Sequence, residues 1–135
     1  MSYRTVEAAS FEEYLASDDD SVEDRASQKI ERNERLLRFP FSVMLKVSFP
    51  ELDFANRWCW QNFGPGDGEC TQSYSRYRVC DRKDRHTHEG RWASHWFVKT
   101  DYDFGFNEWY FVASRDHELF VANIANINWG ENFLK

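Results

Sequence analysis

The chain has 135 residues, 41% of them hydrophobic and 30% charged, and a formal net charge of −6. That balance supports one packed domain with room for an extra arm, and the negative sum argues against a general binder of nucleic acid or anionic membrane, which is normally basic. There is no apolar run of about 18 residues of the kind that spans a membrane, and the N-terminal MSYRTVEAASFEEY lacks the basic and apolar regions of a signal peptide; the three cysteines, without paired spacing, suit a reducing cytoplasm better than a disulfide scaffold.

Charge and ring content divide the chain near Pro40. Residues 1–38 carry ten acidic and six basic side chains and read as an acidic helical arm; residues 39–135 hold nearly all of the aromatic mass and read as a compact domain. In the arm, Ser10-Phe11-Glu12-Glu13 has the spacing of a capping box, with Phe11, Tyr14 and Leu15 as the apolar side chains. A second helix is expected from Ser21 to Arg38, uninterrupted by Gly or Pro. Val22, Ala26, Ile30, Asn33 and Leu37 form its one thin stripe, and Glu31–Arg35 and Glu34–Arg38 stand at the favourable i,i+4 spacing.

Phe41 to Phe49 alternates strictly, the pattern of a half-buried strand, with Phe41, Val43, Leu45, Val47 and Phe49 on one face. Pro50 is suited to the first turn of a helix, whose stripe is Leu52, Ala55, Cys59 and Phe63 and whose end is Gly64-Pro65. A weak strand signal follows around Tyr74–Cys80, then a polar loop over 81–90. Trp92–Thr100 is a second strand, with Trp92, Ser94, Trp96 and Val98 on one face and Ala93, His95, Phe97 and Lys99 on the other. Gly105 is the expected pivot of a reversal over 101–107, Trp109–Ala113 the returning strand, and Ser114 the cap of a last helix carrying Leu119, Phe120, Asn123, Ile124 and Ile127. Asn128-Trp129-Gly130 suits a short edge strand. The order predicts an α+β fold: an antiparallel sheet with two helices on one face, of ferredoxin-like or split βαβ type, preceded by the acidic arm.

Aromatic residues make up 18% of the chain (12 Phe, 6 Trp, 6 Tyr), more ring than a small core readily hides. Both faces of the Trp92–Ala113 region are apolar, so a two-layer sandwich would leave one bare. The arm is expected to cover part of that face with Phe11, Tyr14, Leu15 and Ile30 and to leave the rest for a partner. Phe11, Tyr14, Leu15, Trp92, Trp96 and Trp109 are the candidate protein-binding residues, with another protein or a second copy of this chain as the partner.

Three other chemistries have weaker footing. Arg76, Arg78, Arg82, Lys83, Arg85 and Arg91, interleaved with rings, suit the phosphates and bases of a single strand; against this stand the net charge and the missing aromatic-glycine signature of RNA-binding sheets. Cys70, Cys80, His86 and His88 are zinc-ligand types, but the cysteines are separated by nine residues rather than two to four. Cys80 lies among cations that would favour a thiolate, and Asp101, Asp103 and Glu108 are carboxylates of the kind that form solvated turns. No nucleophile, metal or nucleotide signature is complete, so no catalytic residue, cofactor or membrane partner is assigned. The expected function is that of a small non-enzymatic protein-binding module acting as an inhibitor or regulator. A single-strand nucleic-acid binder is the first alternative and a small Cys/His metal protein or enzyme the second.

Overall fold

A computed structural model describes residues 8–16, 22–67, 89–97 and 105–125. The expectations for 69–88, 98–104 and 126–135, including the weak strand at 74–80 and the edge strand at 128–130, lie outside these residues.

The N-terminal part forms a two-residue strand β1 (Ala8–Ala9), a short helix α1 (Phe11–Ala16) and a long helix α2 (Val22–Arg38). Ser10 ends β1 and starts α1: its hydroxyl accepts the Glu13 amide at 3.1 Å, satisfying one of the donors that every helix start leaves open. The alternating segment forms β2 (Phe41–Val47), two residues shorter than its pattern. Ser48 stops it. Its side chain accepts the Glu51 amide while Glu51 accepts the Ser48 amide, a complete capping box, and Pro50 sits in the first turn. Phe49 therefore belongs to α3 (Phe49–Phe63) and not to the strand; it is 58% exposed and lies against Trp96, with ring centroids 5.0 Å apart. Gly64 closes α3 at φ +83°, a conformation that a side chain would strain.

Later in the chain come β3 (Trp92–Phe97), β4 (Gly105–Phe111) and α4 (Ser114–Asn123). Gly105 is not a turn pivot. It is the first residue of β4, paired with Val47, and the Trp96 ring lies so close over it that a Cβ would sit 2.4 Å from ring carbons. Nor does Ser114 cap α4: Ala113 holds the cap position without a side-chain bond, and Ser114 is the first helical residue. What ties this helix start to the sheet is Asp116, gripped by Arg91 with contacts of 2.8 and 2.9 Å.

The four strands form one antiparallel sheet in the order β1-β2-β4-β3. β2 and β3 consequently run the same way with β4 between them, and α3 lies between β2 and β3 in the chain. The place beside β2 is taken by Ala8–Ala9, paired with Leu45 and Met44.

Because side chains alternate along a strand, the sheet sends two sets of residues to two helical layers. Leu45, Val47, Trp92, Trp109 and Phe111 meet Ala55, Cys59 and Phe63 of α3 and Phe120 of α4 in the larger core. Met44, Phe97 and Phe106 on the reverse face meet Phe11 and Tyr14 of α1 in the smaller one. The fold is α+β, with helices on both sides of the sheet.

Phe11 and Tyr14 each contribute roughly 1.5–3 kcal/mol through burial. Deleting residues 1–38 is expected to cost at least about 3 kcal/mol or to cause aggregation through the uncovered rings. Urea unfolding and light scattering of the truncated chain check this; an equally stable, soluble product would show that the arm adds nothing to the fold.

Candidate functional site

The site that the described residues assemble is the interface between α2 and the reverse face of the sheet, and it is polar. Glu108 lies in β4, between β2 and β3, and is 2% exposed. A carboxylate in such a place needs charge and hydrogen bonds to offset the loss of water. Arg32 supplies both in a two-pronged pair, Nε to Oε1 at 2.7 Å and Nη2 to Oε2 at 2.9 Å. The Tyr110 hydroxyl, two residues along the same face, donates to Glu108 Oε1. The hydrogen bond from Arg32 to Glu108 raises the guanidinium pKa. Burial, then the neighbouring Glu108 charge, pushes the Tyr110 phenol well above the usual tyrosine range.

The neighbouring turns of α2 extend the seam. Arg35 places its guanidinium 5.2 Å from the Tyr110 ring centroid and 5.9 Å from that of Phe97. Arg32 stacks over Phe11 at 4.7 Å, and Gln28 donates to the Tyr14 hydroxyl at 2.9 Å. Planar guanidinium groups suit ring faces, and their aliphatic stems cover apolar surface. Hence Arg35 and Arg38 do not make the expected pairs with Glu31 and Glu34: Arg35 turns to the rings and Arg38 makes a two-pronged pair with Asp67.

This arrangement reverses the expected orientation of α2. Ile30, expected to cover the sheet, is 60% exposed and Leu37 is 85% exposed, while Ala26 and Asn33 of the same stripe are exposed as well. Charge faces inward and the apolar stripe faces out.

Four of the six candidate protein-binding residues are internal: Phe11, Tyr14, Trp92 and Trp109 are buried. Trp92 and Trp109 lie under α3 and α4, their indole N–H groups donating to the Gly64 carbonyl and to Asn56, both at 2.8 Å. Rings held there can stack neither on a partner nor on bases. Leu15 and Trp96 are half-buried. Of the candidate nucleic-acid residues only Arg91 is described; it is paired with Asp116 and lies over the Phe63 ring at 5.4 Å. Arg76, Arg78, Arg82, Lys83 and Arg85, the candidate metal ligands Cys70, Cys80, His86 and His88, and the turn carboxylates Asp101 and Asp103 lie outside the described residues. Among the described residues no group of three or more His, Cys, Asp or Glu side chains is placed to hold a metal ion, and no helix is long and apolar enough to cross a membrane. Glu108, read from the sequence as a turn carboxylate, is instead the centre of the polar seam.

No protein-family model, curated protein or solved structure matches the chain.

Two outcomes follow from the seam. Glu108→Ala strands the partly buried Arg32 and is expected to cost about 3 kcal/mol in chemical unfolding. The raised Tyr110 pKa stabilises the fold fully below the ordinary tyrosine value of about 10, and that stability is lost as pH rises from there through the folded value. Tyr110→Phe is therefore expected to flatten the alkaline decline of melting temperature; an unchanged slope would show that Tyr110 does not cause it.

Proposed function

We propose that this chain is a small non-enzymatic protein-binding module of inhibitor or regulator type, and that its recognition surface is the outward face of α2. One observation carries the reading: α2 presents Arg32, Arg35 and Gln28 to the sheet and leaves Ile30 and Leu37 in water. A surface helix ordinarily does the opposite. Burying polar side chains costs desolvation, and exposing large aliphatic ones forgoes roughly 1.5–3 kcal/mol each. A partner that covers Ile30 and Leu37 recovers that free energy, in the manner of helix recognition through anchors spaced a few turns apart.

The nucleic-acid alternative has less support, because Trp92 and Trp109, the rings that would stack on bases, are covered by helices.

The test compares the wild-type chain with the double variant Ile30→Glu/Leu37→Glu, each immobilised and exposed to extract of the native host. The variant is expected to unfold within about 0.5 kcal/mol of wild type, as exposed substitutions do, and to lose proteins that the wild type retains. Identical retained sets would remove this face as the recognition surface. Submicromolar single-strand binding at physiological salt would shift the account to nucleic acid.

A further inference from the structure

We infer that the outward face of α2 pairs with the same face of a second copy of this chain, the two helices lying parallel and in register about a twofold axis. The inference rests on the reading of that face as a recognition surface and commits it to one occupant.

The stripe has the spacing of a coiled-coil seam. Ala26, Ile30, Asn33 and Leu37 are separated by four, three and four residues, the alternation of d, a, d and a positions in a heptad. All four are exposed. At 3.6 residues per turn the stripe lies roughly 160° around the helix from Gln28, Arg32 and Arg35, the side chains that hold α2 to its own sheet. A second helix can therefore approach without meeting the body of the domain.

The charges beside the stripe select both the partner and the direction. In this frame Lys29 holds a g position and Glu34 the e position five residues on. In a parallel pair those positions face each other across the seam, so Lys29 of each copy meets Glu34 of the other, twice by symmetry. An antiparallel pair would instead set Lys29 beside Leu36 and Glu34 beside Ser27, without an ion pair. Both charges are exposed, and among the described residues neither has an ion-pair partner within its own chain; Arg38, one turn beyond Glu34, is turned to Asp67. In the parallel register Asn33 faces Asn33 of the second copy. An amide both donates and accepts, so the two side chains can satisfy each other in this register.

Four layers of side chains bury much less than the roughly 1,200 Å² at which specific protein pairs become stable. The dimer is accordingly weak and reversible, and the chain is monomeric when dilute.

Sedimentation of the full chain from about 10 µM to about 1 mM, a span that covers weak association, provides the test. The average mass of wild type is expected to rise with concentration. Lys29→Glu and Glu34→Lys are each expected to weaken association about tenfold, the order of two exposed ion pairs replaced by like-charge contacts. Combining both in one chain, or mixing the two single variants, restores it. Leu37→Glu abolishes it with the melting temperature unchanged. Wild type that stays monomeric throughout, a dimer indifferent to Leu37→Glu, or a double variant as weak as the single ones would each overturn the inference. The broader reading fails separately: if wild type is monomeric yet captures another protein in a Leu37-dependent way, that face recognises a different partner and only self-pairing is lost. If Leu37→Glu changes neither measurement, both readings fall.

Discussion

A carboxylate in the middle of a sheet must find positive charge, and Glu108 finds it on a helix that precedes it by 76 residues. The cost of taking that carboxylate out of water is several kcal/mol if it is left alone. Two hydrogen bonds from one guanidinium, with a third from Tyr110, offset it. Much else is positioned by this contact. Once Arg32 is set over β4, Arg35 lies three residues along the same helix face and reaches the Tyr110 and Phe97 rings; Gln28, one turn earlier, reaches Tyr14. Tyr14 and Phe11 then fill the space between α1 and the Phe97 and Phe106 rings. The reverse face is closed by apolar side chains from α1 and by arginine stems and guanidinium planes from α2.

The two faces of the sheet solve different problems with the same residue types. Towards α3 and α4 the core is apolar, and its two fully buried indoles each find one acceptor, Gly64 just after α3 and Asn56 within it. Towards α1 and α2 the rings are met by cations. That division explains how a small chain accommodates so many rings: half a sandwich would have left a bare face, whereas two helical layers leave few large rings exposed among the described residues. At the rim, Asp67 accepts the Gly90 amide and the Arg38 guanidinium while its own amide donates to the Trp92 carbonyl. A Cβ on Gly90 would lie 2.3 Å from the Asp67 backbone nitrogen, so this close approach between the end of α3 and the start of β3 requires glycine.

The regular elements were legible because their periodicity is strong. The alternation from Phe41, the Ala55–Cys59–Phe63 stripe and the two faces of Trp92–Phe97 all appear as read, since each pattern reports burial directly. Gly105 suggests a turn in the sequence because glycine marks both turns and close approaches, and only the Trp96 ring overhead distinguishes them. Phe49 fits the strand pattern because period-two alternation runs into the Ser48–Glu51 capping box, a helix-start signal that outweighs one more matching residue. β1 had no signal at all: two alanines pair with Leu45 and Met44 through their backbones alone. The site was the least legible part. Its defining contact joins residues far apart in sequence, and the usual rule that the apolar stripe of a helix points inward gave α2 the wrong orientation. The signal that would have corrected it was present: Gln28, Arg32 and Arg35 share one helix face, and Phe and Tyr are plentiful enough to receive guanidinium groups.

Holding a helix by charge rather than by grease changes what its outer face can do. Apolar contacts are non-directional, so a helix seated on them can rotate or slide by small amounts at little cost. A two-pronged guanidinium–carboxylate pair is planar and directional, and a buried one is unforgiving, because any displacement leaves both charges short of partners. A shift of α2 by one turn would replace Arg32 opposite Glu108 with Gln28 or Leu36, neither of which carries the charge the carboxylate needs. The rotation and height of α2 on the sheet are thus determined by one ion pair and its aromatic flanks, and with them the direction in which Ile30 and Leu37 point. The stripe on the far side of α2, with Ile30 and Leu37 exposed, remains available for whatever meets it from outside. A polar inner seam and an apolar outer one are two results of the same choice of side chains along α2.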